Sequence, residues 1–269
     1  MFTLSFLRIP KVQLILALSL IFLTTIKHYP FEQSLFLLLI SLLSTIFFDL
    51  LCTWLREKKL FVPWAAITTA LIIALIIDPN AKWYQVIITC AIAMGIKNFV
   101  RFSDRHIFNP AASGLLVGGL LFQQYVSWWG VSFQNITANF SLQTLVLFFI
   151  LLLPFLISGY RMRRYKAILT FIVTYTIFTH LFTFSFSLSS LISRVLDPTI
   201  IFFSIVMIPE PMTSPINAKK QVLFGGAVAL ITLILSLPLI SKLLLSNGLL
   251  PDLFIPALLL GNLLFFRYR

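Results

Sequence analysis

Apolar runs punctuated by short polar clusters set the pattern of this chain. The runs recur near 12–26, 31–54, 61–77, 83–100, 107–126, 142–158, 166–192, 197–208, 221–240 and 249–266. Most hold about 17–24 residues, the length at which an α-helix crosses a hydrocarbon layer of roughly 30 Å. Helix is the expected form, because lipid offers backbone N–H and C=O groups no partner. The run at 197–208 is too short to span. It opens at Asp197-Pro198 and closes at Pro209-Glu210-Pro211, which predicts a truncated or broken helix. The first run follows Arg8 and Lys11 but ends Thr24-Thr25-Ile26-Lys27, without a small-x-small cleavage pattern, so a retained helix is expected rather than a signal peptide.

Composition agrees with the pattern. Of 269 residues 59% are hydrophobic and 10% charged, and 28 phenylalanines stand against 8 acidic residues. Globular chains carry about 25% charged residues, so a soluble fold of this size could not hide the apolar surface. The expected fold is an all-α integral membrane protein, a single polytopic domain over 1–269 with about ten transmembrane helices. A formal net charge of +12 would also suit a nucleic-acid binder. The basic residues, however, lie in clusters between apolar runs, so the partner expected is the lipid bilayer and not nucleic acid. Cys52 and Cys90 sit in separate apolar runs and read as small buried hydrophobes, not as a disulfide or metal site.

Basic residues also set direction. With a cytoplasmic N-terminus and ten crossings, the inner side collects Arg8, Lys11, Arg56, Lys58, Lys59, Lys97, Arg101, Arg105, Arg161, Arg163, Arg164, Lys166, Lys219, Lys220, Arg267 and Arg269. That is 16 of the 20, leaving Lys27, Lys82, Arg194 and Lys242 outside. One helix more or fewer would scramble the alternation, so both termini are placed in the cytoplasm.

Two pairs of segments resemble each other at an offset of five. The third ends Leu75-Ile76-Ile77-Asp78-Pro79 and the eighth Val206-Met207-Ile208-Pro209-Glu210-Pro211; the fifth begins Ile107-Phe108-Asn109-Pro110-Ala111 and the tenth contains Phe254-Ile255-Pro256-Ala257. Five is odd, so such halves (about 1–130 and 131–269) would be inverted repeats. Folds of that kind hold their site where interrupted helices meet.

Candidate chemistry concentrates at two stretches. In His106-Ile107-Phe108-Asn109-Pro110-Ala111-Ala112-Ser113-Gly114, Asn109 suits an N-cap and Pro110 the first turn. Exposed amides at such a start favour an anionic or carbonyl-bearing group; the plain alternative is a cap joining two helices. In Pro209-Glu210-Pro211-Met212-Thr213-Ser214-Pro215 three prolines in seven residues forbid a continuous helix and leave Glu210, Thr213 and Ser214 on a rigid segment, either a pocket element or an inner loop. Asp49 and Lys97 fall at matching inner ends of the second and fourth segments, as snorkelling residues or as an ion pair on a cation path. Asp252 opens the tenth segment, where a carboxylate suits the helix dipole. His180 reads as a hydrogen-bonded packing residue, not a metal ligand. Asn135-Ile136-Thr137 and Asn139-Phe140-Ser141 fit glycosylation acceptors weakly. No metal site, phosphate loop or nucleophile elbow is apparent.

On these stretches the chain resembles the NqrB/RnfD family, the ten-helix membrane subunits of sodium-pumping NADH:quinone oxidoreductase and of Rnf-type electron transport complexes. The resemblance rests on His106 through Ala111, on Glu210 through Pro215 followed by Lys219-Lys220 and Phe224-Gly225-Gly226, and on Pro251-Asp252 with Gly261-Asn262. It implies two inverted five-helix repeats of the urea-transporter kind in a prokaryotic cytoplasmic membrane. It implies electron transfer through a membrane-bound flavin coupled to cation translocation, together with partner subunits and quinone; alone the chain would be at most a subunit of an enzyme. The implied cofactor-binding residues are His106, Asn109, Glu210, Thr213, Ser214 and Asn262, and Asp252 would join Asp49 and Lys97 on an ion route. The family's Ser-Gly-Ala-Thr motif, whose Thr carries FMN covalently, is missing from the loop at 126–139, and Thr137 is no substitute. A non-covalent riboflavin or FMN is therefore expected and covalent FMN is not. His106 replaces the usual Asn and Glu210 the usual Asp. The alternative is a urea-transporter-like permease or channel without a redox role.

Overall fold

The computed structural model describes residues 9–26, 29–59, 62–123, 126–131, 142–183, 187–246 and 249–268. It is helical, apart from a two-residue hairpin. The first half holds α1 (Pro10–Thr25), α2 (Phe31–Glu57), α3 (Trp64–Ile76) and α4 (Trp83–Phe99). The hairpin β1 (Arg101–Phe102) and β2 (Arg105–His106) then leads into α5 (Pro110–Phe122). The second half holds α6 (Leu142–Arg161), α7 (Tyr165–Thr183), α8 (Leu188–Val195), α9 (Pro198–Phe202), a π-helical turn over Phe203–Met207, α10 (Ala218–Leu235), α11 (Pro238–Ser246) and α12 (Phe254–Phe265).

Among the described residues three helices are long and apolar enough to cross a membrane by themselves: Phe31–Glu57, Tyr165–Phe182 and Ala218–Leu235. α3, α5 and α12 are shorter than the runs that predicted them, because caps and prolines cut them, whereas α6 outruns its own with Pro154 inside. Pro63 precedes α3 and Asp78-Pro79 follows it; Asn109-Pro110 starts α5 three residues into its run. Two predicted runs are each divided. The run at 166–192 breaks between α7 and α8, and that at 221–240 stops at Leu235 before Pro238 opens a separate α11. The run at 197–208 is broken as expected, α9 widening into the π turn. The tripeptides at 135–137 and 139–141, and Thr137 with them, lie outside the described residues.

From α1 to α6 the helices alternate in direction. Lys11 near the start of α1, Arg56 at the end of α2, Ala65 at the start of α3, Lys97 at the end of α4, Asn109 before α5 and Gly159 at the end of α6 all line one cavity. We name this the basic end. Arg164 before α7, Gln221 in the first turn of α10 and Tyr268 after α12 join it through contacts with Ser214, Arg163 and Lys220. At the opposite end Thr25 Oγ1 donates to Gly130 O (2.8 Å), Gln33 Nε2 to Pro79 O (2.7 Å) and Trp128 Nε1 to Asp252 Oδ2 (3.0 Å).

The helix pairs of the first half recur in the second. α2 packs on α4 and α7 on α10; α4 on α5 and α10 on α12; α1 on α3 and α6 on the π turn. Two pairs join the halves, α1 with α6 and α5 with α12. Close approach depends on small residues. A Cβ on Gly114 of α5 would stand 2.7 Å from Thr89 O of α4, and one on Gly225 of α10 would stand 2.3 Å from Ala167 O of α7. Outward faces are apolar: Phe36, Leu43 and Phe47 of α2, and Leu169, Val173 and Ile177 of α7, are exposed as lipid-facing side chains would be.

Candidate functional site

Proline decides where the second half opens. Pro209 and Pro211 bring no N–H, so Ile205 and Met207 lose the donors that would close their helical turns. Ile208 N instead reaches back to Phe203 O (3.1 Å), the i−5 bond of a π turn. Met207 O is taken by Asn109 Nδ2 at 3.4 Å. The missing N–H of Pro215 leaves Pro211 O to Arg164, which donates to it at 3.4 Å.

The motif of the first half arrives at the same place. The hairpin returns the chain so that Asn109 caps α5, its Oδ1 accepting Ala112 N at 3.0 Å. Asn262, in the middle of α12, ties the two motifs together. Its Oδ1 accepts Asn109 N (3.0 Å) and its Nδ2 donates to Thr213 O (3.3 Å). His106 Nε2 meets Glu210 Oε1 at 2.9 Å, and Thr213 Oγ1 donates to Glu210 Oε2 at 2.9 Å. Ser214 Oγ donates to Glu210 O (2.7 Å) and accepts from Arg164 Nε (2.9 Å). Six residues far apart in sequence thus form one network. His106, Asn109 and Glu210 face the cavity, whereas Thr213, Ser214 and Asn262 are buried behind them and hold them.

The cavity is about 400 Å³, within the usual range for a small-molecule site of roughly 300–1,000 Å³. Ile72, Ala111, Ile205 and Val206 give it apolar walls; Thr53, Thr68, Thr69 and Asn98 add polar points. Lys11, Arg56 and Arg101 line it as well, with Glu57 paired to Arg56 at 2.6 Å, so cations outnumber carboxylates on that side. Burial, and then the charge of Arg56, lowers the Arg101 pKa below the ordinary arginine value. Arg164 is lowered likewise, by burial and then by Arg105. Arg56 Nε, a buried donor in the wall, has no hydrogen-bond partner among the described residues. These groups favour a ligand that brings acceptors or negative charge.

Asp49 and Lys97 form an ion pair, not two snorkelling residues. Asp49 is fully buried and accepts Lys97 Nζ on both oxygens at 2.8 and 2.7 Å. Asn98 Nδ2 donates to Asp49 Oδ1 (3.0 Å), and Thr53 Oγ1 donates to Asn98 Oδ1 (3.0 Å). Lys97 and Asn98 reach the cavity; Asp49 stands behind.

Asp252 is not brought to this cavity. It lies at the opposite end, accepting Trp128 Nε1 and, at 2.8 Å, Ile255 N. His180 is a packing residue as read, Nδ1 lying 2.9 Å from Thr176 O and Nε2 3.3 Å from Ser190 Oγ. Sequence reasoning missed Arg164, Arg56 and Arg101 as site residues, because every basic residue at that end was already accounted for by membrane orientation. Trp128 carried no signal at all.

A family model described as the NQR2, RnfD, RnfE family matches residues 6–242, and the chain belongs to that family. A search of curated proteins finds no match.

Proposed function

We propose that this family member is the membrane subunit of an Rnf/Nqr-type electron transport complex and holds a non-covalent flavin in the cavity at the basic end. The single observation that supports this most is the meeting of the two proline motifs through Asn262 around a space of about 400 Å³. The residues present suit a flavin. Ile72, Ala111, Ile205 and Val206 would cover the apolar faces of its ring system, and His106, Asn109, Glu210 and Asn98 would meet the polar edge. Arg56, Arg101 and Lys11 would favour added negative charge. When bound, a flavin supplies one- and two-electron chemistry. The chain's own part is to orient it, exclude water and hold a proton near its polar edge on His106 or Glu210.

The remaining readings follow from the family and from packing. Recurrence of helix pairs at an odd offset supports ten crossings in two inverted five-helix repeats, and the gathering of basic residues at one end supports a cytoplasmic cavity mouth in a prokaryotic membrane. Cation movement would use the buried Asp49–Lys97 pair and, at the far end, Asp252. At the opposite end Trp128, Phe203, Phe254, Tyr175 and Phe171 form a chain of ring contacts that fills the interior, which weighs against an open permease pore.

The test is the absorbance of purified protein before and after acid extraction. A flavin spectrum that leaves with the acid supernatant is expected. A colourless preparation, or flavin retained in the precipitate, would falsify the non-covalent assignment.

A further inference from the structure

A second opening lies at the basic end, separate from the flavin cavity. It is a cleft of about 480 Å³ between the ends of α6, α7 and α10, lined chiefly by Tyr160, Arg161, Arg163, Tyr165, Lys166 and Gln221. No Asp or Glu lines it. Arg161 shares a hydrogen bond with Gln13, but among the described residues none of the three cations has a carboxylate partner.

Two features go beyond a basic surface. Arg163 ends α6 in the left-handed region at φ 55°, the position where a helix usually places Gly or Asn. An arginine there is held against its backbone preference. Its carbonyl is gripped by Gln221, whose Nε2 donates to Arg163 O (2.8 Å) and Ile216 O (3.0 Å). Those two acceptors fix the amide, since the flipped form would set oxygen against two carbonyls. Gln221 is 2% exposed, and its Oε1 has no partner among the described residues. That oxygen is closed to solvent, so what the cleft offers a ligand is its three cations, which ask for negative charge.

Its place decides the source of that charge. Exposed Leu169 of α7 and exposed Val222 and Leu223 of α10 begin the apolar belt, and the exposed rings of Tyr160 and Tyr165 sit at the cleft rim. Amphipathic rings and basic pockets at this level meet lipid head groups. We propose that the cleft binds an anionic glycerophospholipid. The phosphodiester lies against Arg161, Arg163 and Lys166, and the acyl chains follow the outer faces of α7 and α10. This goes beyond the flavin reading and does not depend on it.

The experiment uses the full chain, delipidated in neutral detergent. Lipid retention is followed by native mass spectrometry, with unfolding temperature as a second readout. Phosphatidylglycerol should be retained and raise the unfolding temperature. Phosphatidylmethanol, equally anionic, should bind about as well, and phosphatidylcholine and glycerol 3-phosphate should not compete. Arg163→Gly combined with Lys166→Gln should weaken phosphatidylglycerol binding roughly thirtyfold, from about the worth of two basic residues near a surface. The glycine should leave the helix end at least as stable. Equal retention of phosphatidylcholine, competition by glycerol 3-phosphate, or unchanged binding in the variant would each overturn the proposal. Should the variant not fold, the ranking of the four ligands on the unaltered protein decides.

Discussion

At the basic end the capped start of α5 faces the proline-broken stretch after the π turn, and a cavity of about 400 Å³ remains between them. At the opposite end the capped start of α12 faces the end of α3 across residues 126–130, and side chains fill the junction. The caps act alike: Asn109 accepts the amide of Ala112 at 3.0 Å and Asp252 that of Ile255 at 2.8 Å, each three residues on. Their surroundings do not. Trp128 lays its ring against Phe202, Phe203 and Phe254 while donating to Asp252, and Trp129 donates to Ala74 O at 2.9 Å. The basic end has no tryptophan in its lining, and its polar residues bond sideways to one another. A helix interruption becomes a candidate site only where its freed backbone groups are satisfied by residues that leave the space between them open.

The largest expected effect breaks the charge balance of the open end. Asp49→Leu leaves the Lys97 ammonium buried without its counter-ion and should cost about 3–5 kcal/mol of stability. Adding Lys97→Met should restore most of it, because no buried charge remains. Thermal unfolding in detergent checks both, and a double variant as unstable as the single one would remove the pair from the account. Next comes Asn262→Leu, which strands Asn109 N–H and Thr213 C=O at about 1–3 kcal/mol for each group. It should lower flavin retention as well as unfolding temperature; loss of stability with full flavin content would mean that the junction does not shape the cavity.

Glu210→Gln keeps the shape of the segment and removes its charge. Flavin affinity should fall about tenfold, near 1.4 kcal/mol, with little change in unfolding temperature. Unaltered affinity would return residues 209–215 to the status of a loop. The smallest effect belongs to the filled end. Trp128→Phe keeps the ring packing and deletes one hydrogen bond to Asp252, costing about 1 kcal/mol, and flavin affinity should not move. A drop in affinity there would show that the two ends are coupled.

Much of this contrast was legible in the residues. Asn109-Pro110 marks a helix start, and the three prolines at 209, 211 and 215 mark a stretch no continuous helix can cross, so the junction could be anticipated from chain chemistry alone. Asp49 and Lys97 were readable as a pair because a lone charge in lipid needs a partner. Other features were not readable. Arg164 and Arg56 look like every other orienting cation until burial sets them apart. The helix start after Ser187 and the stop after Leu235 fall inside runs read as continuous, and the ring packing around Trp128 depends on contacts distant in the chain.

The central claim is that a flavin occupies the space between Asn109 and Glu210. Its most direct measurement is equilibrium titration of riboflavin into flavin-stripped protein, comparing the unaltered chain with Ala65→Trp, which places an indole in the cavity wall away from every hydrogen bond of the junction. Saturable binding by the former and none by a folded variant is the predicted result. Equal binding by both, or no binding by either, would contradict it.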